Sequence, residues 1–138
     1  MANIAQTRNE VDRCVRATLD AVENAEESTA HEAEEAVWAC LLLLGRALMA
    51  WFFARRSAAS SATIYKHAGL AYEIVGAETI EVGTRFGKVE LRRPVARVVG
   101  MERWARDFPL DRQLGLVGGF TLAVVATIVA GKVAFVRR

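Results

Sequence analysis

The side chains best suited to chemistry in this chain are basic. Arg85, Lys88, Arg92, Arg93 and Arg97 fall within one short stretch, TRFGKVELRRPVAR, whose apolar residues alternate. Cations carried on one ribbon can follow a phosphate backbone, each contact releasing condensed counterions from the nucleic acid. On a solvated sheet the same charges would only guard an edge against unwanted pairing. A second group, Arg103, Trp104, Arg106 and Phe108, joins aromatic rings to positive charge, the combination needed for stacking on an exposed base. A tryptophan beside a proline turn can equally close a core.

Other chemistries find little to work with. His31 and His67 stand alone, and a zinc site needs more ligands than their surroundings supply. Cys14 and Cys40 have no short-spaced partner and read as two reduced, buried thiols of a cytoplasmic chain. Asp111 follows Pro109 and Leu110, where a carboxylate caps a turn or a helix rather than acting as a base. The sequence therefore predicts no catalytic residue, no metal ligand and no cofactor, and a chain that is not an enzyme by itself.

These residues must be positioned by an α+β framework. Ile4, Val11, Val15, Leu19 and Val22 mark one face of a helix over 4–25. Thr29 with Glu32 is a capping box that opens a second helix, closed by Arg55 and Arg56 and containing the apolar block AVWACLLLLGRALMAWFF (36–53). So wide an apolar surface exceeds what the narrow stripe of the first helix can cover, which predicts self-association through 36–53. The first 35 residues carry three arginines against nine acids, a net charge of −6, and the remainder is net +8. Such asymmetry suits one end that stays solvated and another that faces phosphate or anionic lipid.

SAASSAT (57–63) reads as linker. Period-two alternation then predicts strands over 70–75, 79–82 and 86–99, with Val89 and Leu91 on one face and Lys88, Glu90 and Arg92 on the other. Pro94 places the last strand at an edge or ends it. Residues 120–136 form a final apolar helix. The organisation expected is a helical module (1–56), a linker (57–69), a β-hairpin module (70–112) and a C-terminal apolar helix (113–138).

Three segments, in order, resemble the N-terminal region of the Kra-type insertion-sequence transposases, a family of DDE recombinases. LLLLGRALMAWFFARR (41–56) is similar to the family's leucine-rich helix with Leu-Gly-Arg. TRFGKVELRRPVAR (84–97) is similar to its hairpin, and FPLDRQLGLVGGFT (108–121) to its Pro-Leu-Asp…Leu-Gly-Leu segment. The resemblance spans roughly residues 32–138. It implies an N-terminal DNA-binding and oligomerisation part without its catalytic domain, active in transposition and DNA recombination in the cytoplasm. Its expected partners are double-stranded DNA, through Arg85, Lys88, Arg92, Arg93 and Arg97, and further copies of itself. Two departures matter. Many relatives carry Cys-x-x-Cys before the Pro-Leu-Asp segment, whereas RVVGMERWARDF has no cysteine, so no metal site carries over. The family's catalytic carboxylates, which hold two metal ions, have no counterpart assignable here. A rival reading is a small inner-membrane protein anchored by 114–136, a stretch long enough to span a bilayer with Lys132 near its end.

Overall fold

The computed structural model describes residues 2–59, 63–101 and 106–136. Two helices lead. In α1 (Ile4–Glu23) the Asn3 side chain accepts from the Gln6 amide at 2.8 Å, while Gln6 reaches back to the Asn3 amide at 2.9 Å. These contacts satisfy two donors that a helix start would otherwise strand. In α2 (Ala30–Ala59) the Glu32 amide donates to Thr29 Oγ1 at 3.2 Å and the Thr29 hydroxyl donates to Glu32 Oε1 at 3.1 Å, the capping box expected there. α2 packs on α1 along one side and on the sheet along another.

Among the described residues the sheet has four antiparallel strands in sequential order: β1 (Ile64–His67), β2 (Leu70–Thr84), β3 (Gly87–Val98) and β4 (Arg106–Asp107). Within the segment 57–69, expected as linker, the described residues include regular structure at both ends. Ser57–Ala59 finish α2, where the Ser57 hydroxyl donates to the Arg92 carbonyl at 2.6 Å. Ile64–His67 then pair with Leu70–Glu73. The connecting residues Ala68 and Gly69 both have positive φ (52° and 79°), the left-handed pair that a tight hairpin turn demands.

The strands anticipated separately at 70–75 and 79–82 are one strand, β2, interrupted by a bulge between Ile74 and Gly76. The extra residue changes which face each side chain takes. Before the bulge, Tyr72 and Ile74 pair with Val98 and Ala96. After it, Glu78, Ile80 and Val82 pair with Arg93, Leu91 and Val89, which lie on the opposite face. Two cores result, one on each side of the same ribbon. Phe53, Val82, Val89, Leu91 and Leu110 form the larger, under α2 and α3 (Pro109–Leu114); Tyr72, Ala96 and Val98 form the smaller, with Tyr65 and Ile74 against them. Pro94 is tolerated because β4 pairs only with Ala96 and Arg97, leaving β3 an edge at the proline.

The stretch 114–136 is not one helix. α3 stops at Leu114, and Gly115, Gly118 and Gly119 take positive φ before α4 (Leu122–Val136) begins. α4 has 15 residues, a length of about 22 Å against roughly 30 Å of bilayer hydrocarbon. Among the described residues the one helix long and apolar enough to cross a membrane is α2, whose most apolar 18-residue stretch has a mean hydropathy of 1.9.

Deleting Val75, the exposed residue at the bulge, would let Ile74 and Gly76 follow one another opposite Ala96 and Val95, so pairing becomes regular while Tyr72 and Ile74 keep their face. Denaturant unfolding is expected to show a loss of no more than about 1 kcal/mol, because no buried apolar side chain leaves its core. Val75→Ala should stay within about 0.5 kcal/mol of the parent.

Candidate nucleic-acid interface

The basic ribbon ends in a two-residue turn, Arg85-Phe86, between the paired residues Thr84 and Gly87. Thr84 holds the turn closed: its Oγ1 accepts from the Phe86 amide at 3.1 Å and its hydroxyl donates to the Gly87 carbonyl at 2.7 Å. The Phe86 ring lies on α2 at Gly45, where a Cβ would stand 2.2 Å from Phe86 Cδ1. No residue but glycine admits this approach without displacing the ring. Arg46 Nε donates to the Phe86 carbonyl at 3.1 Å, and its guanidinium fills the space beside Gly87, whose φ is 111°. Leu-Gly-Arg in the helix and Phe-Gly in the turn are thus the two halves of one contact.

A second contact joins the ribbon to the segment after α3. Gly83 donates to the Gly119 carbonyl at 2.9 Å and accepts from the Thr121 amide at 3.0 Å, while Phe120 occupies the place a Gly83 side chain would need.

The third is ionic. Arg93 Nη2 donates to Glu78 Oε1 at 2.6 Å, and Nη1 donates to Asp111 Oδ2 at 2.5 Å. Its guanidinium stands 3.6 Å from the centre of the Phe108 ring, a cation–π contact. Arg106 Nη2 completes the cluster on Glu78 Oε2 at 2.9 Å. Hydrogen bonding from Arg93 holds the Glu78 carboxyl below its ordinary range, whereas burial pushes Asp111 up despite the same arginine. Asp111 Oδ1 is buried with no partner among the described residues. A parallel arrangement occupies the other face. Tyr65 donates to Asp107 Oδ2 at 2.5 Å, and Arg112 pairs with Oδ1 of the same carboxylate. Burial and the bond to Asp107 push the Tyr65 phenol well above its usual range. Burial alone would raise Asp107, but Arg112 and Tyr65 outweigh it and hold that carboxyl down.

The five basic residues read from the sequence therefore divide. Arg93 and Arg97 lie on the face toward α2 and α3; Arg93 is 14% exposed within its cluster, and Arg97 pairs with Glu73 at 3.3 Å. Lys88 and Arg92 occupy the opposite, solvated face among Glu81 and Glu90, with Lys88 Nζ 3.8 Å from Glu81, and Arg85 projects at the tip. Arg92 also borders a cleft of about 620 Å³ with Asn3, Ala54 and Ser57. The surface open to a phosphate backbone is Arg85, Lys88 and Arg92, in a mosaic with two glutamates.

Of the aromatic and basic group, Phe108 carries Arg93 on its face with Arg106 beside it at 5.4 Å, so this ring is already stacked. Arg103 and Trp104 lie outside the described residues. His31 and His67 are exposed, and Cys14 and Cys40 are unpaired. Among the described residues no three His, Cys, Asp or Glu side chains gather as a metal site would require. Glu78 and Tyr65 were not singled out from sequence; Glu78 becomes visible only through its register opposite Arg93. Compared with family models, curated proteins and solved structures, the chain matches none.

Arg93→Ala leaves two carboxylates without their shared cation and is expected to cost about 3–5 kcal/mol in denaturant unfolding. Tyr65 makes a distinct pH prediction. Its folded pKa is raised, so its contribution is complete below the free phenol's value of about 10 and is lost as pH rises beyond it. Stability measured from pH 8 upward should fall more steeply in the parent chain than in Tyr65→Phe; equal slopes would show that the phenol is not held as described.

Proposed function

We propose that this chain is the DNA-contacting and self-associating N-terminal part of a Kra-type insertion-sequence transposase, acting in the cytoplasm, with catalysis assigned to a separate domain. The observation that supports this reading is the convergence of the three resembling segments. Leu-Gly-Arg meets the Phe-Gly turn through Gly45, Arg46 and Phe86. The hairpin's arginine pair meets Pro-Leu-Asp through Arg93 and Asp111. The ribbon's Gly83 meets Gly-Gly-Phe-Thr. Short motifs matched by chance have no reason to pack on one another, whereas motifs that define one unit do.

In this reading Arg85, Lys88 and Arg92 contact phosphates, and Arg97 adds to the field from the edge. Arg93 supports the ribbon instead of touching DNA. The contact is electrostatic, suited to duplex in general and not to reading one sequence. Self-association uses the outer side of α2, where Trp38, Leu41, Leu48 and Phe52 are exposed and solvent contact is unfavourable for so continuous an apolar strip.

The alternative is a membrane-anchored protein, favoured by the length and hydropathy of α2. It requires Arg46 to sit near the bilayer centre, at about 2.5–3.5 kcal/mol on an insertion scale, and to give up its bond to Phe86.

Duplex binding measured over a range of salt tests the proposal. Three phosphate contacts give a log–log slope near −2.7, at about −0.9 per contact. Lys88→Ala with Arg92→Ala should flatten it by about two units while leaving the unfolding midpoint in place. A double variant that keeps the full slope removes the hairpin from the interface. Recovery of the chain in alkali-resistant membrane pellets would favour the anchor.

A further inference from the structure

The outer side of α2 is nearly a palindrome. Glu34, Trp38, Leu41, Gly45, Leu48, Phe52 and Arg55 follow one another at alternating spacings of four and three, which keeps them along one helical seam. Trp38, at 62%, is the most exposed of the seam's large apolar residues, and Leu41, Leu48 and Phe52 are exposed with it. Gly45, at the middle of the seam, is buried beneath Phe86 of the hairpin tip, so the exposed apolar residues lie on either side of it. An acidic residue precedes the apolar run, and Arg55 and Arg56 follow it.

From this arrangement we infer that α2 pairs with α2 of a second copy, antiparallel and two-fold symmetric about Leu44 and Gly45. The inference rests on the self-association proposed above and specifies its geometry. Rotation about that point sets Leu41 against the partner's Leu48, Trp38 against the partner's Phe52, and Glu34 against the partner's Arg55 and Arg56. Each contact occurs twice, as an isologous interface requires.

A receptor for Trp38 stands at the matching place. Leu48, Trp51, Phe52, Arg55, Arg56 and Ala59 line a groove of about 440 Å³. Arg55 lies 5.6 Å from the Trp51 ring and Arg56 5.9 Å from the Phe52 ring, so both cations stand at its rim. There they can meet the partner's Glu34 while its tryptophan fills the groove between them. A parallel pair would instead set Glu34 against Glu34 and the arginines against one another, while Trp38 faced Trp38 and both grooves stayed open. Opposed like charges discriminate against that orientation. The paired seam runs from Glu34 to Arg56, about 33 Å of helix, and leaves the ribbon's Lys88 and Arg92 face uncovered.

The test uses the full chain with Cys14→Ser and Cys40→Ser. Chains bearing Leu41→Cys are mixed with chains bearing Leu48→Cys and treated with a short bismaleimide at micromolar protein. The expected product is the mixed 41-to-48 dimer. A predominance of 41-to-41 and 48-to-48 products, or sedimentation of the uncrosslinked chain as a monomer, overturns the inference. Charge provides an independent readout that spares the apolar core. Glu34→Arg should weaken the dimer at least tenfold, and adding Arg55→Glu with Arg56→Glu should restore it; an unchanged dimer in Glu34→Arg overturns the assigned orientation. Duplex binding separates this inference from the reading on which it rests. A monomer that retains the Lys88- and Arg92-dependent salt slope defeats only the pairing, and an antiparallel dimer without that slope defeats only the DNA contact.

Discussion

With no Cβ at Gly45, the Phe86 ring can lie directly on the backbone of α2, and much of the remaining structure depends on that close approach. It places the tip of a long ribbon on a helix that otherwise shares only its C-terminal half with the sheet. Arg46 then closes the contact by bonding to the Phe86 carbonyl and filling the space beside Gly87. The tip is held at both strands, because Gly83 is pinned in turn by Gly119 and Thr121. Three glycines at this contact serve different purposes: Gly45 of α2 and Gly83 of the ribbon admit aromatic rings, and Gly87 takes a backbone conformation other residues resist.

Arg93 plays the corresponding part further along the ribbon. Removing a guanidinium from water is costly, and the cost is met here by two carboxylates and an aromatic face. The cluster draws together residues from β2, β3 and α3 that no apolar contact would align so narrowly. Asp111 retains an unpartnered buried oxygen among the described residues, which is why burial dominates its titration while Glu78, at the rim, is governed by Arg93. A cation so engaged cannot also serve as a free phosphate ligand. The division between Arg93 and Arg92 is thus a division of labour between adjacent positions, one supporting the ribbon and the other facing solvent.

The two helices present the opposite problem. α1 covers one side of α2 and the sheet another, and the third side keeps its tryptophan, leucines and phenylalanine in water. Charge at the two ends of that strip differs in sign, so the surface complements its own reverse. Dimerisation and DNA contact would then occupy separate surfaces, which allows two ribbons to act together without competing for one site.

The sequence alone determined what local chemistry determines. Thr29 and Glu32 marked the start of α2, alternation marked the strands, and the α+β class followed. Period two already set Val89 and Leu91 against Lys88, Glu90 and Arg92, so the separation of Arg92 from Arg93 was legible, although the resemblance assigns all five cations to one DNA contact. The apolar run of α2 was also plain, but not which side of it would stay exposed. Tertiary structure decided the rest, because it depended on residues far apart in the chain. The bulge at Val75 merged two expected strands into β2 and opened a second core on the other face, a consequence of register and not of composition. Glu78 and Asp111 gained their meaning only when pairing brought them to Arg93 from either side. Left-handed glycines at 115, 118 and 119 divided a stretch whose hydropathy reads as continuous, since hydropathy measures the preference of side chains and is blind to the backbone turn beneath them.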